Sequence, residues 1–318
     1  KTGKVDRNEI TVEKFRNWME WSRVNDIALD FNPTFFAHPQ AADGFALSNA
    51  DKSVRKFWVE HGIACRKIAA EFGKAQGNAC ITNFWPPDCW KDTPVDREAP
   101  RRRLKESLDE IFAVDVDEKY NKDALECKLF GIGAESYTTG SHEFYMLYAP
   151  SRQKMLCLDS GHFHPTESIG EKLSAIFTFM DEILLHVSRG VRWDSDHVTT
   201  LNDELLAIAR ESVAYGYSSK IHYALDYFDA SINRVAAWVI GSRSFQMALL
   251  MALLEPHKML TDAENSFDFT SRLALQETAK TLPWGAVWDY YCLQNNVPTG
   301  WDYMDTIKKY EKEVLLNR

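Results

Sequence analysis

The stretch MLCLDSGHFHPTESIGEKLSAIFTFMDEILLHV, Met155–Val187, carries the reading of the fold. Its first run, Met155–Asp159, is apolar up to the acid that closes it. Its last run, Ile183–Val187, sets one histidine among aliphatic residues. Short runs that are apolar on both alternating faces read as strands covered on two sides, the habit of parallel sheets. Between them Gly170–Phe179 has helical spacing, with Leu173, Ile176 and Phe177 on one side. Strand, helix and strand within about 30 residues make a βαβ unit.

Working outward, four more runs have strand character: Ile27–Asn32, Ala79–Trp85, Ala124–Phe130 and Ile221–Tyr227. Amphipathic stretches alternate with them: Val12–Val24, Ser53–Phe72, Arg102–Phe112, Asp203–Ala214 and Asn233–Leu254. Strand starts recur roughly every 30–50 residues and no Asn-Gly hairpin signal occurs. No GxGxxG follows the first strand, so a (β/α)8 TIM barrel is expected over an open doubly wound sheet. The six strands would be strands 3 to 8, with the first two upstream of Lys1. Residues 1–256 would form the barrel. Residues 257–318 would form a helical extension, packing on the barrel or on a neighbouring subunit, with helices at Asp268–Lys280, Trp284–Asn295 and Tyr303–Leu316.

Composition narrows the function. The 318 residues carry 37 Lys+Arg against 46 Asp+Glu, a net charge of −9, which argues against a general nucleic-acid binder. Hydrophobic residues at 45% and 10 Trp supply a large core and exclude disorder. The six cysteines form no CxxC pair and read as reduced thiols of a cytoplasmic protein. The longest uninterrupted apolar run, Met247–Leu254, is far short of a membrane span, and KTGKVDRNEIT is no signal peptide. Beginning at Lys1, it reads as an interior start.

In a parallel barrel the reacting groups sit where strands end, and acids and histidines collect there. Glu126 and Lys128 share one face of the third strand by period two. Asp159 and His162 flank Gly161 after the fourth, and His186 lies in the fifth. Asp194 and Asp196 bracket Ser195 beside Trp193, and Asp226 closes the sixth. Taken singly, each has an ordinary explanation: an ion pair, a turn cap, a satisfied core histidine, a solvated loop. His164, followed by Pro165, lies at best behind the others, and Asp229 is placed to cap the helix that follows. Taken together, five carboxylates and two imidazoles at four strand ends call for a pair of divalent cations. Oxygen-rich sets with one His each point to Mn²⁺, Mg²⁺ or Co²⁺ and away from a structural zinc.

Five blocks then resemble one family: DFNPTFF (Asp30–Phe36), ECKLFGIGAESYTTGSHEFY (Glu126–Tyr145), CLDSGHFHPTE (Cys157–Glu167), LLHVSRGVRWDSDHV (Leu184–Val198) and LDYFDASINRVAAWVIG (Leu225–Gly241). They look like L-rhamnose isomerase, and the similarity runs the length of the chain. The resemblance implies a metal-dependent aldose–ketose isomerase interconverting L-rhamnose and L-rhamnulose, a cytoplasmic homotetramer using Mn²⁺, with Mg²⁺, Co²⁺ or Zn²⁺ as substitutes. It implies a structural ion on Glu126, Asp159, His186 and Asp226, and a catalytic ion on His162, Asp194 and Asp196. Lys128 and Trp85 match a lysine near the substrate oxygens and an aromatic wall, with Asp159 and Trp193 also facing the sugar. Family members carry an N-terminal portion with the first strands and a ring-handling His, which lies before the first residue here.

The chemistry expected is a hydride shift from C2 to C1, with both oxygens held and polarised by the ions. Lys128 would stabilise charge on O1, and a water near Asp226 would take and return the O2 proton. Two rivals stand beside it. One is a metal-dependent phosphodiesterase on a similar barrel, which would need more basic residues than Arg189 and Arg192 at the mouth. The other is a truncated metal-binding subunit without catalysis.

Overall fold

The structure is a computed structural model that describes residues 4–127, 135–191 and 194–318. In chain order its helices are α1 (Arg16–Asn25), α2 (Lys52–Gln76), α3 (Glu98–Phe112), α4 (His142–Ser151), α5 (Gly170–Phe177) and α6 (Asp203–Ala214), then α7 (Arg234–Leu253), α8 (His257–Asn265), α9 (Phe269–Lys280), α10 (Trp284–Gln294) and α11 (Tyr303–Glu313). The strands are β1 (Cys80–Phe84), β2 (Cys89–Trp90), β3 (Asn121–Glu126), β4 (Tyr137–Thr138), β5 (Met155–Asp159), β6 (Ile183–Val187) and β7 (Ile221–Leu225). The chain divides into two compact units, Lys1–His162 with Met180–Leu185, and Phe163–Phe179 with His186–Arg318.

In the first unit the sheet order is β1-β3-β5-β6, and β1, β3 and β5 pair in parallel. Every residue of β1 and β5 is buried, as the double-sided apolar pattern requires. α2 covers β1 and β3 and buries Trp58, Cys65, Ile68, Ala69 and Phe72. Asp51 caps its start by accepting from Ser53 N, and Gly77 ends it in the left-handed region at φ 77°. Gly73 makes this packing possible: a Cβ there would lie 1.9 Å from the carbonyl oxygen of Tyr120.

Ile27–Asn32 departs from expectation. It forms no regular strand: Phe31 makes a single parallel bridge to Thr82 in β1, and beyond the run Thr34 bridges Trp85, just after β1. Pro33 removes a ladder donor and restricts Asn32. The Asp30 side chain accepts from Ile81 N at 2.7 Å, where a backbone carbonyl would otherwise serve. A second departure is the two-residue antiparallel pair β2–β4. β3 and β7 also stop earlier than read, at Glu126 and Leu225, while 128–130 lie outside the described residues.

In the second unit the end of β6, His186 and Val187, lies beside β7, and α5, α6 and α7 pack in succession. α7 is a continuous 20-residue helix, so by length and composition it is long enough to span a membrane. Its buried face, Ala236, Ala237, Gly241, Phe245 and Ala248, meets the rest of the unit. Midway along it Arg243 lies over the rings of Trp288 and Tyr303 and donates to Pro298 O at 3.1 Å. These contacts tie the middle of α7 to the helices that follow it. All six cysteines are free thiols, five of them buried.

Candidate metal centre

β3 and β5 lie side by side and present their acids at the same end: Glu126 is the last residue of β3 and Asp159 the last of β5, and Glu126 is in register with Cys157. Both are almost fully buried. Asp159 Oδ1 accepts from Gly161 N at 2.7 Å, which turns the chain and returns His162 to the strand ends. His162 Nδ1 lies 2.7 Å from the carbonyl oxygen of Cys127 and 3.4 Å from Glu126 Oε1, while its Nε2 lies 3.8 Å from Asp159 Oδ2. A nitrogen facing two oxygen acceptors carries the proton, so Nε2 presents the lone pair. A backbone carbonyl holding one imidazole N–H is the usual way a metal-binding histidine is oriented.

Glu126 has a further partner that sequence reasoning missed. Asn83, in β1, donates from Nδ2 to Glu126 Oε2 at 2.5 Å. An uncharged amide inside a strand gave no sequence signal of this pairing. Beside Glu126, the Cys127 thiol is pushed well up, first by burial and then by the neighbouring carboxylate.

The second unit holds the other proposed ligands. His186 sits in β6 with Nδ1 3.2 Å from Asp226 Oδ2, and Asp226 is the first residue after β7. Tyr227 fixes this end by donating to Ala237 O at 3.0 Å. Its hydroxyl lies where a side chain on Gly241 would go, 1.9 Å from a Cβ at that position. The loop with Asp194 and Asp196 is tied to the same end, since Phe228 N donates to Asp196 O at 3.3 Å. Asp196 adopts a left-handed backbone at φ 48°, Val191 N donates to Ser195 Oγ, and His197 Nδ1 lies 2.9 Å from that oxygen. Ser195 Oγ thus serves Val191 N and His197, between the two acids in sequence.

Trp85 is half-buried, with Phe36 edge-on against its ring. Lys128 and Trp193 lie outside the described residues. His164 is exposed, with Nδ1 2.7 Å from Thr166 Oγ1. Asp229 caps a turn at Ser231 rather than α7 itself, whose cap is Asn233.

Each unit therefore ends its strands with carboxylates in contact with an imidazole, side chains of the types that hold divalent metal ions. The family model for L-rhamnose isomerase (RhaA) matches residues 1–318. The chain belongs to the L-rhamnose isomerase family. This is a family of aldose–ketose isomerases, and the chain is an enzyme of that class. L-rhamnose isomerase of Rhodopirellula baltica is 58% identical over 316 residues, covering 99% of this chain and 74% of that protein. That of Mannheimia succiniciproducens is 57% identical over 315 residues, 99% of this chain and 75% of its own length. Among solved structures, D-psicose 3-epimerase crystallised in the presence of D-fructose superposes with a TM-score of 0.55 at 11% identity, covering 78% of this chain and 86% of that one. That likeness concerns the fold: α/β, with the parallel strands and covering helices of the (β/α)8 class, and helices at the C-terminus.

Proposed function

We propose that this chain interconverts L-rhamnose and L-rhamnulose with the help of two divalent cations, Mn²⁺ by preference. The supporting observation is the buried Glu126–His162 contact, 3.4 Å, beside Asp159. Two acids and an imidazole kept from water at neighbouring strand ends are costly to fold unless a cation joins them. Glu126, Asp159, His186 and Asp226 would hold one ion, and His162, Asp194 and Asp196 the other. When bound, the cations supply Lewis acidity toward two adjacent sugar oxygens.

The chain's own groups complete the reaction. Trp85 and Trp193 wall the sugar and exclude water, and Asp159 and Lys128 hold its oxygens. A water near Asp226 takes the O2 hydroxyl proton, and that proton is returned at O1. The C2–H electron pair moves with its hydrogen to C1, so C2 is oxidised as C1 is reduced. Lys128 stabilises negative charge on O1 as the shift proceeds. We further propose a cytoplasmic tetramer, with residues 1–256 as the catalytic barrel and 257–318 as its helical extension.

The test is turnover of L-rhamnose, followed by NMR, on chelator-treated protein with and without added Mn²⁺. Isomerisation restored by the metal supports the reading. Metal binding without turnover would favour a non-catalytic subunit, and hydrolysis of a phosphodiester in place of isomerisation would favour the other chemistry.

A further inference from the structure

Asn83 is a buried polar side chain whose placement the proposed reaction does not use. It lies in the fully buried strand β1, is 3% exposed, and its position reads more cheaply as a valine or leucine. Nδ2 donates to Glu126 Oε2 at 2.5 Å. Asn83 pairs with Ala124 in the β1–β3 register, so the amide reaches two residues along β3 to meet the carboxylate. Among the described residues its Oδ1 is buried and accepts no hydrogen bond. A buried carbonyl oxygen without a donor is destabilising and calls for an explanation. The other end of the same amide is spent on a proposed metal ligand.

We propose that Asn83 is a positioning residue for Glu126, and that its Oδ1 accepts one O–H when the site is filled. The inference rests on the metal reading above. The amide N–H fixes the Glu126 carboxylate in one rotamer by holding its Oε2. With Oε2 occupied by the amide, the orientation of the whole carboxylate is set before any ion arrives. The O–H belongs either to the sugar, since Trp85, the proposed wall of the sugar pocket, follows two residues later, or to a water in the site. Both are the same chemistry, and the measurements separate them.

The experiment compares wild type with Asn83→Leu, which keeps the volume and removes both amide functions. Asn83→Ala serves as a second variant if the first folds poorly. Mn²⁺ is titrated into chelator-treated protein by calorimetry, without sugar, and KM and kcat are then measured at saturating Mn²⁺. Removing a group that orients a metal ligand lowers affinity by about 10- to 100-fold, and that loss is expected here. A KM several-fold above wild type at saturating metal assigns the O–H to the sugar, and an unchanged KM assigns it to water. Wild-type Mn²⁺ affinity in a folded variant overturns the inference while leaving the metal reading intact. Absence of Mn²⁺ binding in the wild type overturns both.

Discussion

Removing the Arg66 guanidinium should unfold much of what holds β3 in place. Arg66 and Asp123 are both about 2% exposed and meet through a forked contact, Nε to Oδ1 at 3.0 Å and an Nη to Oδ2 at 2.9 Å. The other Nη donates to the carbonyls of Ile111, at 2.9 Å, and Val114, at 2.7 Å, which tether the end of α3. The guanidinium also lies over the Phe112 ring. Arg66→Met strands Asp123 with Asn121 and Lys154 as its neighbours and leaves two carbonyls without their donor. Breaking one side of a buried pair costs about 3–5 kcal/mol. At about 2–4 °C per kcal/mol for a unit of some 150–250 residues, the melting temperature should fall by roughly 6–20 °C. Lys154 lies 3.3 Å from Asp123, so the loss should sit nearer the low end. Because much of the cost is the stranded carboxylate, Arg66→Met with Asp123→Leu should recover part of it. Thermal and urea unfolding of the two variants measures both effects. A single variant within 1 kcal/mol of wild type, or a double variant no more stable than the single one, would refute the reasoning.

Burial pushes Asp88 up to about 6, against the opposing hydrogen bonds from Ser48 and Ala46, so the folded state keeps a proton that the unfolded state releases. Its contribution to stability therefore falls as pH rises from about 4 to about 6. Burial pushes His61 down to about 4, so its contribution is present above about 6.5 and lost as pH falls through about 4. The two slopes oppose each other over nearly the same window. Asp88→Asn should lose about 2 kcal/mol more than wild type between pH 7 and pH 4.5 by urea denaturation, and parallel profiles would contradict this. Gly241→Ala should displace the Tyr227 ring and cost about 1–3 kcal/mol of overpacking, with turnover reduced through Asp226 next to it; unchanged stability and rate would show that α7 gives way instead. Isomerisation of L-rhamnose in D₂O should leave C1 of the L-rhamnulose product undeuterated, whereas heavy incorporation there would replace the hydride shift with an enediol route.

The parallel βα succession was legible because strands covered on both faces leave apolar runs that no other element makes so briefly. Ile27–Asn32 looked the same, yet Pro33 and the Asp30 side chain replace the ladder that would have made it a strand. β2 and β4, two residues each, have no period to read. α4 escaped notice because its apolar residues surround the helix and Pro150 sits near its end, and α8 because it follows Pro256 without a polar cap. At the strand ends, Glu126, Asp159, His162, His186 and Asp226 stood out as charge that a core does not tolerate. Asn83 did not, because an uncharged amide in a strand carries no such signal until its partner is known.

The most direct measurement is the metal content of wild type beside Asp194→Ala/Asp196→Ala, with isomerase activity and melting temperature recorded on the same samples. The account predicts two ions bound in the wild type and one in the variant. The variant should show no turnover, and its melting temperature should still rise when Mn²⁺ is returned, by the stabilisation of about 2.7 kcal/mol that a ligand at 100-fold its Kd confers on the folded state. Equal metal content in the two proteins, or full activity of the wild type in chelator with an unchanged melting temperature, would contradict it.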